Sequence, residues 1–295
     1  MKKFKWLVTG LAMSLALTAC SSLENMMPPT VPVDYQQNAS ITSPLEKHYM
    51  QNGGFTVASQ VFVSGKKAYP NYKIWYPSEM VYSGKQYPLV IMANGTGIPY
   101  QKYEQVFEHL ASWGFVVAGN NDNSSMLGQS TSDTLDFILA LNQNHQSLFF
   151  NKINTQQIGV AGHSQGGVGA VSAVVYYPNG HLYKAVFAAS GGHGEVGKMN
   201  IPYFLVSGTT GIEKVLAKPE EFLKQFNSLN NNGLTVLARR KDTGHGEMLY
   251  AANGYMVAWF RYHLQQDSQA GKAFLGLNAE IAKNPLWQDV KIKGQ

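Results

Sequence analysis

The stretch Ile158–Gly167, IGVAGHSQGG, constrains this chain more than any other. A run of small and β-branched apolar residues leads into Gly162-x-Ser164-x-Gly166, and a small-residue run, GGVGAVSAVVYY, follows. The first run reads as a buried strand and the last as a helix. A sharp strand-to-helix corner needs glycines wherever the backbone packs closely. It also sets Ser164 at a strained position before a helix N-terminus, where N–H groups favour developing negative charge. The competing reading is a Gly-rich turn that serves only tight helix–strand packing.

The rest of the chain repeats the same alternation. FTVASQVFV, YKIWYP, YPLVIMANGTG, FVVAGN, QIGVAG, YKAVFAAS, PYFLVSG and LTVLARR read as strands. YEQVFEHLASWG, STSDTLDFILALNQN, KPEEFLKQFNSL and GYMVAWFRYHL have helical spacing, the first ending at Gly114 and the second opening on Ser/Thr/Asp cap residues. Strands alternating with helices predict an α/β fold with a mostly parallel sheet covered on both faces. The 295 residues suit one large α/β domain, and no internal repeat or second domain is visible.

The N-terminus reads as a targeting segment. MKKFK is basic, and WLVTGLAMSLALTA is apolar but short for a bilayer span. Leu17-Thr18-Ala19-Cys20 resembles the bacterial lipobox, in which the cysteine is lipidated and becomes the new N-terminus. The alternative is an ordinary thiol at the edge of an ordinary signal peptide. The lipobox reading predicts a signal peptide over residues 1–19, a flexible tether over 20–51 and a catalytic domain over 52–295. It places the protein in a bacterial cell envelope, attached to a membrane through a lipid on Cys20; Ser21 is compatible with the outer membrane. Cys20 is the only cysteine, so the fold must rest on packing without a disulfide. Removing Lys2, Lys3 and Lys5 from the 23 Lys and Arg leaves 20 against 18 Asp and Glu, a balance of +2. Together with the lack of a basic cluster interleaved with aromatics, this speaks against nucleic acid as a partner.

A serine hydroxyl is a weak nucleophile and needs a base within hydrogen-bonding reach. In a strand–turn–helix architecture of this kind, the acid and then the histidine follow the serine. His245 lies in Asp242-Thr243-Gly244-His245-Gly246-Glu247, a glycine-flanked loop directly after a strand, and is the expected base. His263 falls within a helix, His181 at a turn and His193 in a Gly-rich loop. His163 adjoins the serine and reads as a packing or substrate-contact residue. An oxyanion hole needs two preorganised donors. The N–H of Gln165 supplies one, and the N–H of Thr96, in Asn94-Gly95-Thr96-Gly97, supplies the other.

Taken together, LVIMANGTG, HLASWGFVVAGNNDNSS, INTQQIGVAGHSQGG and GYMVAWFRYHLQQD resemble the cutinase-like polyester hydrolases and the related chlorophyllase-type and dienelactone-type α/β-hydrolases. The resemblance runs from about Phe55 to about Val290. It implies the α/β-hydrolase fold and ester cleavage through an acyl-enzyme, without a cofactor. Carried over, Ser164 is nucleophile, His245 is base, and Thr96 and Gln165 form the oxyanion hole. The family's Asp, in a pattern like Gly-Thr-x-Asp, falls at Gly211 in Gly208-Thr209-Thr210-Gly211-Ile212-Glu213. Glu213 is the expected acid, with Glu195 as the alternative. Asp242 is too near His245 in sequence. The family's C-terminal disulfides cannot form here.

The expected protein is a lipid-anchored serine ester hydrolase and a monomer. It acts on short-chain, lipid or polyester esters, with Tyr100, Tyr103 and Met126 lining an apolar acyl pocket. No insertion is long enough for a large lid, and no metal-ligand spacing is present. The rival readings are a non-catalytic envelope lipoprotein on a hydrolase scaffold, supported by the missing Asp, and a peptidase or acyltransferase using the same three residues.

Overall fold

The computed structural model describes residues 30–123, 125–191, 194–229 and 233–294. The signal peptide, Cys20 and His193 lie outside the described residues.

The described residues hold one sheet, ordered β1-β2-β4-β3-β5-β6-β7-β8-β9. Its strands are β1 (Val57–Val63), β2 (Asn71–Pro77), β3 (Tyr87–Ala93), β4 (Val116–Asn120), β5 (Ile153–His163), β6 (Tyr183–Ala189), β7 (Tyr203–Ser207), β8 (Thr235–Arg240) and β9 (Trp287–Lys293). From β4 to β8 all neighbours are parallel; β1, β2 and β9 run antiparallel to theirs. This is the expected α/β-hydrolase architecture. The order turns back between β3 and β5, and such a switch point opens a crevice at the carboxyl ends of the strands.

Residue alternation explains the burial of both faces. On β3, Val90 and Met92 join the core on one side of the sheet, while Leu89 and Ile91 join the core on the other. Helix α3 (Glu104–Ser112) and the long α8 (Asn253–Gln265) cover the first face with Val106, Phe107, Leu110, Trp259 and Phe260. Helices α4 (Gln129–Gln143), α5 (Gln165–Tyr176) and α7 (Pro219–Ser228) cover the second with Leu135, Ile138, Ala170, Val171 and Phe222. Between β7 and α7 lies one short helix, α6 (Glu213–Leu216).

Two features depart from the sequence reading. Residues 31–51, expected to belong to a flexible tether, are packed into the domain from Val31 onward. Two small helices, α1 (Tyr35–Asn38) and α2 (Pro44–Met50), bury Tyr35, Glu46, Tyr49 and Met50. The buried Glu46 carboxylate accepts from Arg240 Nη1 at 2.9 Å, Asn284 Nδ2 at 2.7 Å and Trp287 Nε1 at 3.1 Å. Long-range polar partners of this kind leave no local periodicity, which is why the segment looked irregular. The second departure is β9, an edge strand whose alternating charged residues mask its pairing with β8.

Among the described residues, no helix is long and apolar enough to cross a membrane.

Candidate active site

The loops after β3, β5, β7 and β8 meet at one end of the parallel strands. At the end of β5, Ser164 takes φ 56° and ψ −126°, a backbone conformation strained for any residue with a side chain. The corner closes so tightly that a Cβ on Gly162 would stand 2.1 Å from the Gly166 carbonyl oxygen. One on Gly166 would stand 2.1 Å from the Ala93 oxygen. These contacts are the reason the motif needs both glycines.

His245 lies in the loop after β8. Its Nδ1–H donates to Glu213 Oε1 at 2.6 Å, and its Nε2 accepts from Ser164 Oγ at 2.8 Å. Glu213 is fully buried, and His245 is 5% exposed. The two loops that carry them are joined through backbone. Thr209 and Thr210 N–H both donate to the Thr243 carbonyl, at 2.9 and 3.2 Å, and Asp242 N–H donates to Thr209 Oγ1 at 2.9 Å. A Cβ on Gly208 would come within 2.2 Å of that Thr243 oxygen, so glycine permits this junction. Gly211 turns the loop with φ +59°, and Glu213 then opens α6. A glutamate two residues beyond the expected Asp position thus reaches the histidine from a helix start.

Glu195 sits elsewhere. It is an exposed side chain paired with Lys198 and hydrogen-bonded to Tyr176, and these partners hold its carboxyl below the usual range. It does not join His245. His181 Nδ1 donates to the Pro178 carbonyl at 2.7 Å, holding a turn. His263 packs edge-on against Trp259, and burial pushes its pKa down to about 3.

Of the two expected oxyanion donors, Gln165 directly follows Ser164, and Thr96 lies in the turn whose Gly95 packs against Ser164, where an added Cβ would stand 3.4 Å from the Ser164 Cβ. Gln165 is the first residue of α5, where backbone N–H groups have no partner within the helix. Thr96 is exposed at the tip of the turn after β3, which is closed by Ile98 N–H donating to the Gly95 carbonyl at 3.2 Å. Beneath it lies a polar hub that sequence reading missed. Fully buried Asn94 donates from Nδ2 to the Asn120 and Asp122 carbonyls at 2.7 and 2.9 Å, and to Asn120 Oδ1 at 3.1 Å. Its Oδ1 accepts from Tyr103 OH at 2.5 Å, and its carbonyl accepts from Ser125 Oγ. The Asn-Gly pair announced a turn, but not these partners.

Tyr100 and Tyr103 do not line an open acyl pocket. They are 4% and 2% exposed, Tyr100 standing edge-on to Trp75 and Tyr103 serving the Asn94 hub. Met126, by contrast, is 44% exposed. A groove of about 440 Å³ lined by Tyr35, Arg240, Lys241, Asp242, Thr243 and Tyr250, among others, includes none of Ser164, His245 and Glu213. Among the described residues, no group of three His, Cys, Asp or Glu side chains is arranged to hold a metal ion.

A hydroxyl, an imidazole and a buried carboxylate in one hydrogen-bonded line can move a proton off the hydroxyl and stabilise the cation that forms. No curated protein matches the chain. The family model described as PET hydrolase-like matches residues 37–286, most of the chain. With its α/β-hydrolase sheet and its serine corner, this chain belongs to the PET hydrolase-like family.

Proposed function

We propose that the protein is a serine carboxylester hydrolase working through an acyl-enzyme. The observation that carries this reading is the unbroken line Ser164 Oγ, His245, Glu213, with the carboxylate fully buried. Ser164 Oγ attacks the ester carbonyl carbon while its proton passes to His245 Nε2. Glu213 fixes the Nδ1–H tautomer and stabilises the imidazolium. The negative oxygen of the tetrahedral intermediate lies against the N–H groups of Gln165 and Thr96. Its collapse expels the alcohol, protonated by His245, and leaves an ester on Ser164. His245 then takes a proton from water, hydroxide adds to the acyl carbon, and the acid departs as Ser164 regains its proton. Family membership supports polyesters, and the exposed Met126 and Thr96 support an open cleft that also admits short-chain esters.

Labelling by a fluorophosphonate, with hydrolysis of p-nitrophenyl butyrate and a polyester film measured beside it, tests the reading. The expected result is stoichiometric labelling and turnover, both abolished in Ser164→Ala. A wild type that neither labels nor hydrolyses overturns it.

The anchor is part of the same proposal: Cys20 carries lipid and holds a monomeric domain at a bacterial envelope membrane. Metabolic labelling with an alkyne fatty acid tests it, and a label that persists in Cys20→Ser rejects it.

A further inference from the structure

The groups that meet His245 leave one of its contacts without a catalytic role. His163, the last residue of β5, donates from Nε2 to the backbone carbonyl of His245 at 2.7 Å. We infer that His163 is a positioning residue, fixing the backbone of His245 to the same central strand that carries Ser164. The inference rests on the triad reading above and names a fourth side chain in that site.

His245 belongs to a loop that is tied to its surroundings on either side, at the Thr243 carbonyl and at Gly244 N–H, which donates to Glu247 Oε2 at 2.7 Å; the bond to the His245 carbonyl itself comes from His163. Glu213 and Ser164 both hold its ring. Neither holds its main chain, and a ring fixed at both nitrogens is placed only as well as its Cα. His163 supplies that constraint from β5, which is flanked by parallel strands on both sides. The same ring lies near the turn after β3, at Gly95. A Cβ on Gly95 would stand 3.4 Å from His163 Nδ1 and 3.1 Å from the His163 carbonyl oxygen. One imidazole on the nucleophile strand therefore bonds the base loop, and a side chain at Gly95 would crowd it.

Its protonation suits this role. The two imidazole rings are 4.8 Å apart, so a second positive charge would oppose the imidazolium that His245 must form. Burial, the neighbouring His245 and then the opposing effect of the backbone hydrogen bond leave the His163 pKa at about 3. It stays neutral, with its N–H committed to the carbonyl and Nδ1 buried without a partner. An apolar cavity of about 20 Å³, lined by Tyr103, Phe187, Met248, Leu249 and Met256, adjoins it.

The test compares His163→Phe, which fills the site without a donor, with His163→Gln, whose amide N–H reaches about as far as Nε2. Turnover of p-nitrophenyl butyrate is measured, together with the downfield proton resonance of His245 Nδ1–H, identified by its absence in His245→Gln. His163→Phe is expected to lower kcat about a hundredfold with KM changed less than about threefold, as a displacement near 1 Å does. It should also broaden the Nδ1–H resonance, while His163→Gln restores both. Wild-type kcat and a sharp resonance in His163→Phe overturn the inference. So does a folded His163→Gln as impaired as the Phe variant. If His163→Phe does not fold, His163→Asn replaces it, because its shorter amide falls short of the carbonyl. The resonance decides the positioning role even if the wild type proves not to hydrolyse esters, so the two readings fail separately.

Discussion

Glu213 Oε1, fully buried, lies 2.6 Å from His245 Nδ1, although the two residues sit on loops after different strands. The junction at Thr243 makes this separation rigid, so carboxylate length is matched to loop position. Glu213→Gln keeps the shape and removes the charge that stabilises the imidazolium. It should lower kcat about 10³–10⁴-fold while the protein stays folded, as read by steady-state kinetics and circular dichroism. Glu213→Asp retracts the carboxylate by one methylene and should fall between the Gln variant and the wild type. A Glu195→Gln variant should match the wild type, since its carboxylate serves only Lys198 and Tyr176.

Asn94 holds the turn after β3 through its own hydrogen bonds. Asn94→Ala leaves the Tyr103 hydroxyl and two main-chain carbonyls without that partner in a buried place. A stability loss of about 2–4 kcal/mol is expected by urea unfolding, from unsatisfied polar groups and the cavity. The kcat should fall with it, since the turn carries Thr96.

Glu46 and Arg240 form a buried pair, 0% and 5% exposed, that joins the N-terminal segment to the strand leading into the His245 loop. Glu46→Leu alone strands a buried guanidinium and should cost about 3–5 kcal/mol. Adding Arg240→Met should recover part of that loss. The coupling in the double-mutant cycle, measured by denaturant unfolding, reports the pair. A strictly additive result would mean that the segment is held by Tyr35 and Tyr49 rather than by the charges.

Acid should destabilise the fold through three imidazoles that burial keeps neutral. Burial pushes His109 down to about 4 and His163 and His263 to about 3. Below pH of about 6.5 the unfolded chain binds protons that these folded sites refuse, so stability falls as pH drops from about 6.5 towards 4. Each site contributes a slope of up to roughly 1.4 kcal/mol per pH unit in that window. Urea unfolding at a series of pH values should show a shallower slope for His109→Gln than for the wild type.

Much of the site was legible in the sequence. Gly162-x-Ser164-x-Gly166 after an apolar run fixes a strand, a corner and a helix, because a Cβ at either glycine would stand only 2.1 Å from a carbonyl oxygen. His245, between Gly244 and Gly246 at a strand end, could be read for the same local reason. The alternation of Leu89, Val90, Ile91 and Met92 dictates a sheet buried on both faces. Other features depend on partners far along the chain and left no local signal. Glu46 with Arg240, Asn94 with Tyr103 and Asn120, and β9 against β8 are of this kind. The sequence determined that a serine would stand at a strained corner with a histidine downstream. Only the tertiary structure decided that Glu213, and not Glu195, meets that histidine and that His163 holds it from behind. The first choice turns on where the loops after β7 and β8 touch, and Gly208, which permits the backbone hydrogen bonds at Thr243, does not by itself reveal them.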